Sequence, residues 1–286
     1  MKILIAFVVT SVLLVQPVYA AEQMPTLEQI KKTGKIRVGY RASEPPMSFL
    51  DNNGVPAGYS IDLCSRIVTG IKTKLDEPKI SVEYVPVNSS NRFSALSDNK
   101  IDILCASTTK TLSRAEIVDF TQLTFVTGAS LLSLESNPIN NISDLQGKKV
   151  AVVKNTTTIE ALKGALKESL TEAEVIPVDT ATDGLRALQE KKVDAYSSDQ
   201  VVLIGLILTA GDPKSFFLAS ELFSFEPFAL AVRRNDADFR LAADRALSHL
   251  YRSGQIVQIY GKWFGRFSKK VPSAIKAMYA INATPE

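Results

Sequence analysis

Apolar positions recur along this chain with two spacings, every second residue in some segments and every three to four residues in others. The first spacing is typical of strands and the second of amphipathic helices. The pattern predicts strands at 36–40, 80–87, 101–104, 149–153, 174–178 and 193–197. It predicts helices at 59–74, 91–98, 159–170, 184–191, 201–210, 238–253 and 256–264. This alternation favours an α/β fold in which helices cover both faces of parallel sheets.

Two stretches interrupt the alternation. Residues 120–134 form a long β-prone run with Gly128 in its middle, and residues 222–233 are aromatic and broken by Pro227. We interpret both as crossings between two lobes, which could close on a ligand by hinge bending. The chain then divides into a first lobe at 21–126, an inserted second lobe at 127–226, a return to the first lobe at 227–267 and a tail at 268–286.

The first twenty residues have the pattern of a secretory signal peptide. Lys2 precedes an apolar run at 3–15, and small residues surround the expected cleavage site after Ala20. The run is too short for a resident membrane helix, and the absence of a nearby cysteine argues against a lipid anchor. We therefore expect a soluble exported protein in a Gram-negative-type periplasm.

Charge and composition exclude several classes of function. The formal net charge of +3 falls to +2 when residues 1–20 and their single lysine are removed, which leaves no basic field for nucleic acid. His249 is the only histidine, so a zinc site or a histidine-based catalytic triad has too few ligands, and we expect it at the surface. The sequence thus predicts no metal and no cofactor.

Cys64 and Cys105 leave two possibilities open. An oxidising compartment permits a disulfide between them. Cys64 also falls on the apolar stripe of the predicted helix at 59–74, where buried thiols are common.

Polar side chains converge after the predicted strand at 101–104. Three hydroxyl residues, Ser107, Thr108 and Thr109, follow the strand, and Arg114 comes five positions later. Ligands bind at strand ends of open α/β sheets, and a guanidinium matches a carboxylate with two parallel hydrogen bonds. The segment therefore predicts a cradle for a small anion, without a nucleophile.

Several motifs in one order carry a family resemblance over residues 26–265. The first lobe opens with TLEQIKKTGKIRVGYRASEPPMSFLDNNGVPAGYSIDLCSRIV, and STTKTLSRAEIVDF follows. The chain resembles the periplasmic solute-binding proteins of polar-amino-acid ABC transporters. NSSNRF, CASTTKTLSR, KNTTT and VDAYSSD look most like the glutamate/aspartate-binding branch. The resemblance implies a monomeric two-lobe receptor that delivers L-glutamate or L-aspartate to a membrane permease and its ATPase.

The resemblance implies that Arg114 binds the α-carboxylate, with Ser107 and Thr109 as further donors. A local cap or ion pair with Glu116 or Asp119 is the structural alternative.

The resemblance also places Thr156, Thr157 and Asp199 in the second half of the site. The threonines precede a helix whose N-terminus suits a carboxylate, although Thr157 and Glu160 also have capping-box spacing. Asp199 would receive the α-ammonium group, or it could serve as a helix N-cap alone.

Arg41 and Arg92, helped by Ser89, match positions that hold the ligand's side-chain carboxylate, although each arginine could equally be a solvated surface residue. One departure concerns Ala181, eighteen residues before Asp199, where that branch often has a histidine.

Charge arithmetic favours an acidic ligand. Arg41, Arg92 and Arg114 against Asp199 give a site charge of about +2. A neutral ligand such as glutamine would leave an arginine without an ionic partner and remains the alternative. Two other classes are a dehydratase on the same fold, for which Asp199 is the only predicted acid, and a receptor sensor, which would need a membrane helix after residue 264.

Overall fold

A computed structural model describes residues 24–286, so the predicted signal peptide lies outside the described residues. The strands are β1 (Lys35–Tyr40), β2 (Ser43–Glu44), β3 (Ser48–Leu50), β4 (Pro56–Ala57), β5 (Ser81–Pro86), β6 (Ile103–Cys105), β7 (Val118–Thr127), β8 (Ala129–Leu134), β9 (Lys149–Val153), β10 (Glu174–Val178), β11 (Ala195–Asp199), β12 (Phe216–Leu218) and β13 (Glu226–Arg233). The α-helices are α1 (Thr26–Thr33), α2 (Tyr59–Leu75), α3 (Arg92–Ser97), α4 (Leu112–Ala115), α5 (Thr157–Glu168), α6 (Ala181–Gln189), α7 (Gln200–Thr209), α8 (Ala237–Arg252), α9 (Ile256–Phe264) and α10 (Ser273–Ile281).

Ten of the thirteen described strands form two five-stranded sheets of similar design, which helices flank, and β2, β3 and β4 form a small third sheet. The first sheet has the order β5-β1-β6-β13-β7 and the second has the order β10-β9-β11-β8-β12. The α/β class is as predicted, but neither sheet is wholly parallel. The two crossing stretches are themselves strands of these sheets. Their strands β7, β8 and β13 pair with their neighbours in antiparallel orientation.

The chain changes sheets at two places. It passes from the first sheet to the second at Gly128, and it returns between β12 and β13. A β-carbon on Gly128 would overlap the carbonyl oxygen of Ser224, because the two crossings lie against each other here. The lobe limits at 126/127 and 226/227 stay a prediction, since sheet membership does not show which segments move together.

Several predicted limits shift by two or three residues: the helix predicted at 184–191 is α6, and the strand predicted at 193–197 is β11. Two further differences have a clear physical reason. The helix predicted at 159–170 ends at Glu168, and Leu170 follows in the left-handed region at φ 52° with its side chain exposed. The predicted tail contains helix α10, which packs on β7 and α8 and buries Tyr279. The hydroxyl of Tyr279 lies 2.8 Å from that of Tyr59 on α2, which ties this helix to the first lobe.

The chain's only tryptophan, Trp263, lies on α9 within the first lobe. Its indole N–H donates to Asp62 of α2 over 2.7 Å, and its ring meets Phe49 edge-on at 5.7 Å. Across residues 24–286 the structure contains no helix with the length and apolarity needed to cross a membrane.

A disulfide joins Cys64 on α2 to Cys105 at the end of β6, with the Cα atoms 6.3 Å apart. Of the two possibilities that the sequence left open, the structure has the bond. It fixes the helix to the strand just before Ser107, so it supports the start of the predicted anion cradle.

Removing this bond should lower stability. We expect the Cys64→Ser/Cys105→Ser variant to lose about 2–4 kcal/mol of unfolding free energy, because the disulfide restricts a long loop of the unfolded chain. Denaturant unfolding with and without a reductant measures the loss. The reductant should destabilise the native protein and leave the double variant unchanged. Equal stability of the two proteins under oxidising conditions would contradict the prediction.

Candidate functional site

One cavity between the two sheets brings together eight of the nine predicted residues. They are Arg41, Arg92, Ser107, Thr109, Arg114, Thr156, Thr157 and Asp199. These residues lie at or beyond the carboxyl ends of β1, β5, β6, β9 and β11, or in the helices that follow, which is where open α/β sheets bind ligands. The ninth, Ser89, is buried outside the lining, and its hydroxyl has no partner among the described residues.

The cradle after β6 is held by the first sheet's return strand. Thr108 accepts a backbone hydrogen bond from Ala229, and the N–H of Lys110 donates to Pro227. The guanidinium of Arg114 donates to the carbonyl oxygen of Thr109 over 2.8 Å. This bond holds the half-buried guanidinium of Arg114 against the cavity wall.

Two guanidinium groups share the ring of Phe93. Arg92 lies 4.8 Å and Arg114 lies 5.4 Å from the ring centroid, distances at which an aromatic face attracts a cation. Burial, together with the nearby positive charges of Arg114 and Arg41, lowers the pKa of Arg92 to about 9. Within residues 24–286 neither Arg92 nor Arg114 forms an ion pair. Both therefore lack the anionic partner that a buried cation needs.

Arg41 does have such a partner. Its Nη1 lies 2.8 Å from Oε1 of Glu44, and both side chains are almost fully buried. The hydroxyl of Ser107 donates to the other oxygen of the same carboxylate over 2.5 Å. A carboxylate of the protein thus occupies two of the donors that the sequence assigned to the ligand.

A second carboxylate that sequence reasoning missed belongs to Glu226, at the start of β13. It accepts hydrogen bonds from Thr109 over 2.6 Å and from Thr157 over 2.8 Å. The predicted capping box is wrong: α5 begins after Thr156, which makes no side-chain cap, and Thr157 bonds Glu226 instead. Since no threonine caps it, the first turn of α5 keeps N–H groups for another acceptor.

Asp199 stands at the N-cap of α7 without making a side-chain cap, so capping does not explain it. Its Oδ1 is buried and has no hydrogen-bond partner among the described residues. Burial raises the pKa of Asp199 well above its usual range, and the carboxylates of Glu226 and Glu44 raise it further against the opposing effect of Arg114 and Arg92. The ionised carboxylate of Asp199 therefore lacks a hydrogen-bond partner for Oδ1 in this cavity.

The set of charged groups in the cavity differs from the set that gave a site charge of about +2 in the sequence analysis. Glu44 and Glu226 add two carboxyl groups, so three guanidinium groups now face three carboxyl groups. The enclosed free volume is about 20 Å³, room for one water molecule. Ala181, the position of the departure noted in the sequence, lines the same cavity.

Both missed acids left a weak signal in the sequence. Glu44 follows Arg41 by three residues in the loop RASEPP, and Glu226 is an isolated acid within the aromatic run LFSFEPF. A charge inside an apolar run is rarely buried without a partner, so the second crossing could have been added to the site on that ground.

The sequence model of the bacterial extracellular solute-binding proteins, family 3, matches residues 36–266. The chain belongs to this family. It is 33% identical over 262 residues to the L-glutamate/L-aspartate-binding protein of Pseudomonas aeruginosa, covering 91% of this chain and 87% of the relative. It is 32% identical to the glutamate/aspartate import solute-binding protein of Salmonella typhimurium, covering 84% of this chain and 79% of the relative. The crystal structure of the cysteine-binding protein of Campylobacter jejuni superposes with a TM-score of 0.76 at 26% identity, covering 88% of this chain and 98% of the other.

In this solute-binding protein the lobes also touch beside the cavity. Strand β2 contacts α6 and α7, and a β-carbon on Gly205 of α7 would overlap the carbonyl oxygen of Pro45. The first lobe cannot give way easily at this contact, because the group that the β-carbon would meet is the backbone of Pro45.

Substituting Gly205→Ala should therefore weaken ligand binding by keeping the lobes apart. Gly164→Ala on α5 is the matched control, since a β-carbon there meets nothing within 4 Å. We expect at least about tenfold weaker amino-acid binding by calorimetry for the first variant. The control should bind normally and unfold at an equal or slightly higher temperature. Unchanged affinity in Gly205→Ala would refute this account.

The raised pKa of Asp199 predicts a pH dependence of binding. An ammonium group beside the carboxylate would lower its pKa, so binding releases a proton wherever the free carboxyl is protonated. The association constant should therefore fall, by up to about tenfold per pH unit, as the pH drops below the raised value. Calorimetry in buffers of different ionisation enthalpy counts the released protons. Asp199→Asn should release none; a constant that rises with acid would contradict the prediction.

Proposed function

We propose that this protein is the periplasmic receptor of an ABC importer for amino acids and that its ligands are L-glutamate and L-aspartate. The relatives from P. aeruginosa and Salmonella, whose names state that specificity, support the proposal. In this proposal the two lobes enclose the amino acid, and the loaded receptor delivers it to the permease and ATPase of the importer.

The observation that carries the proposal is the set of unpartnered charges in one cavity. Arg114 and Arg92 have no ion pair in the described chain, and Asp199 has a buried oxygen without a hydrogen bond. A zwitterion supplies both missing partners, because its carboxylate suits a guanidinium and its ammonium group suits a carboxylate. We assign the α-carboxylate to Arg114 and the first turn of α5, and the ammonium group to Asp199.

Arg92 is the guanidinium left for the ligand's side chain, with Arg41 near it and Ser89 as the predicted helper. The carboxylate of glutamate or aspartate would give Arg92 its ionic partner. The ion pair between Arg41 and Glu44 favours a second candidate, a neutral polar ligand such as L-glutamine, because it removes one positive charge from this end of the cavity.

The remaining assignments extend the same proposal. Residues 1–20 direct export and are removed after Ala20, and the mature protein acts as a monomer in the periplasm. The named relatives are binding proteins, which supports a receptor without catalytic activity over a dehydratase.

The decisive experiment removes the guanidinium assigned to the α-carboxylate, the group that all three amino acids share. Arg114→Ala should lose affinity for glutamate, aspartate and glutamine alike, by about 2–5 kcal/mol. Titration calorimetry with the three amino acids measures this, and Arg186→Ala, on the exposed face of α6, is the control that should bind normally. Retained affinity in Arg114→Ala for any of the three would refute the assignment of the α-carboxylate.

A further inference from the structure

The carboxylate of Glu44 takes the place beside Arg41 that a ligand carboxylate would otherwise occupy. Its two carboxylate oxygens are each engaged, one by Arg41 over 2.8 Å and one by the hydroxyl of Ser107 over 2.5 Å. The residue is 7% exposed and lines the cavity. Glu44 therefore contributes a fixed negative charge inside the site.

This fixed charge changes which side chain suits the cavity. A second carboxylate beside Glu44 would meet a like charge at a place with little water, where repulsion is weakly screened. Arg92 is a donor only, and ionised Glu44 is an acceptor only. A side-chain amide offers one acceptor and two donors, so it can face both residues at once, whereas a carboxylate can satisfy only the arginine.

We propose that Glu44 determines the side-chain specificity of this receptor by shifting its preference from carboxylate towards amide. The inference rests on the proposed function as an amino-acid receptor and concerns the ratio of glutamate to glutamine affinity. Glu44 acts by neutralising Arg41 and by repelling a ligand carboxylate.

Four proteins test this by calorimetry with L-glutamate and L-glutamine: the native protein, Glu44→Gln, Arg41→Gln and the double variant. Glu44→Gln should raise the glutamate-to-glutamine ratio of association constants at least about tenfold, because Arg41 then faces the ligand unpaired. Arg41→Gln should lower the ratio, since Glu44 loses its counter-charge. The double variant removes both charges and should return to within about threefold of the native ratio.

The control is Glu83→Gln on β5, which removes an exposed carboxylate of the first lobe outside the cavity and should leave the ratio unchanged. Glu44→Gln leaves a buried arginine without its partner, which can impair folding. Thermal unfolding detects this, and the step from Arg41→Gln to the double variant then measures the effect of Glu44 on the ratio without that arginine.

The outcomes separate the two proposals. If the native protein binds amino acids and the ratio moves in neither step that removes Glu44, Glu44 does not set specificity and the receptor function stands. If the ratio falls in those steps, the direction is wrong and the inference is overturned. If the native protein binds neither amino acid, the proposed function fails, and the inference fails with it.

Discussion

The removal of charged groups from water governs this structure. Six ionisable side chains gather between two sheets, and each buried charge costs free energy unless an opposite charge or hydrogen bonds replace its hydration. Arg41 and Glu44 satisfy each other, and the hydroxyls of Thr109, Thr157 and Ser224 donate to Glu226. Among the described residues Arg92 and Arg114 have no ion pair, and Oδ1 of Asp199 has no hydrogen bond. Under the proposed function, chemical selectivity follows from this imbalance, because a ligand that supplies the missing charges satisfies the site and one without them does not.

The fold explains why residues far apart in the chain reach one place. Each lobe ends its parallel strands at the edge facing the other lobe, so the loops after β1 and β6 meet the helix starts after β9 and β11. The crossings fix this meeting, since the chain changes sheets at Gly128 and Glu226 follows the second change. The disulfide from α2 to β6 fastens the first lobe immediately below the cradle.

Local patterns predicted much of this and failed where partners are distant. The strand at 149–153 and the helix at 256–264 are where the apolar spacing predicted them. Polar residues after the strand at 101–104 located Ser107, Thr109 and Arg114, and the family resemblance supplied the other five predicted residues of the cavity. The role of Glu226 depends on Thr109 and Thr157, more than sixty residues away, so no local spacing could reveal it. The capping box failed for the same reason, because Thr157 has a tertiary acceptor that competes with the helix end. Helix α10 could have been predicted, since Ile275, Met278 and Tyr279 already form an apolar stripe.

The position of Trp263 has a consequence for optical measurements. The indole is anchored to Asp62 and packed against Phe49, and all three residues belong to elements of the first lobe. Its emission is therefore governed by contacts within the predicted first lobe, so it would not report the proposed closure of the two lobes. A spectroscopic reporter of that motion would have to be introduced elsewhere, for instance as a dye on the outer face of α7.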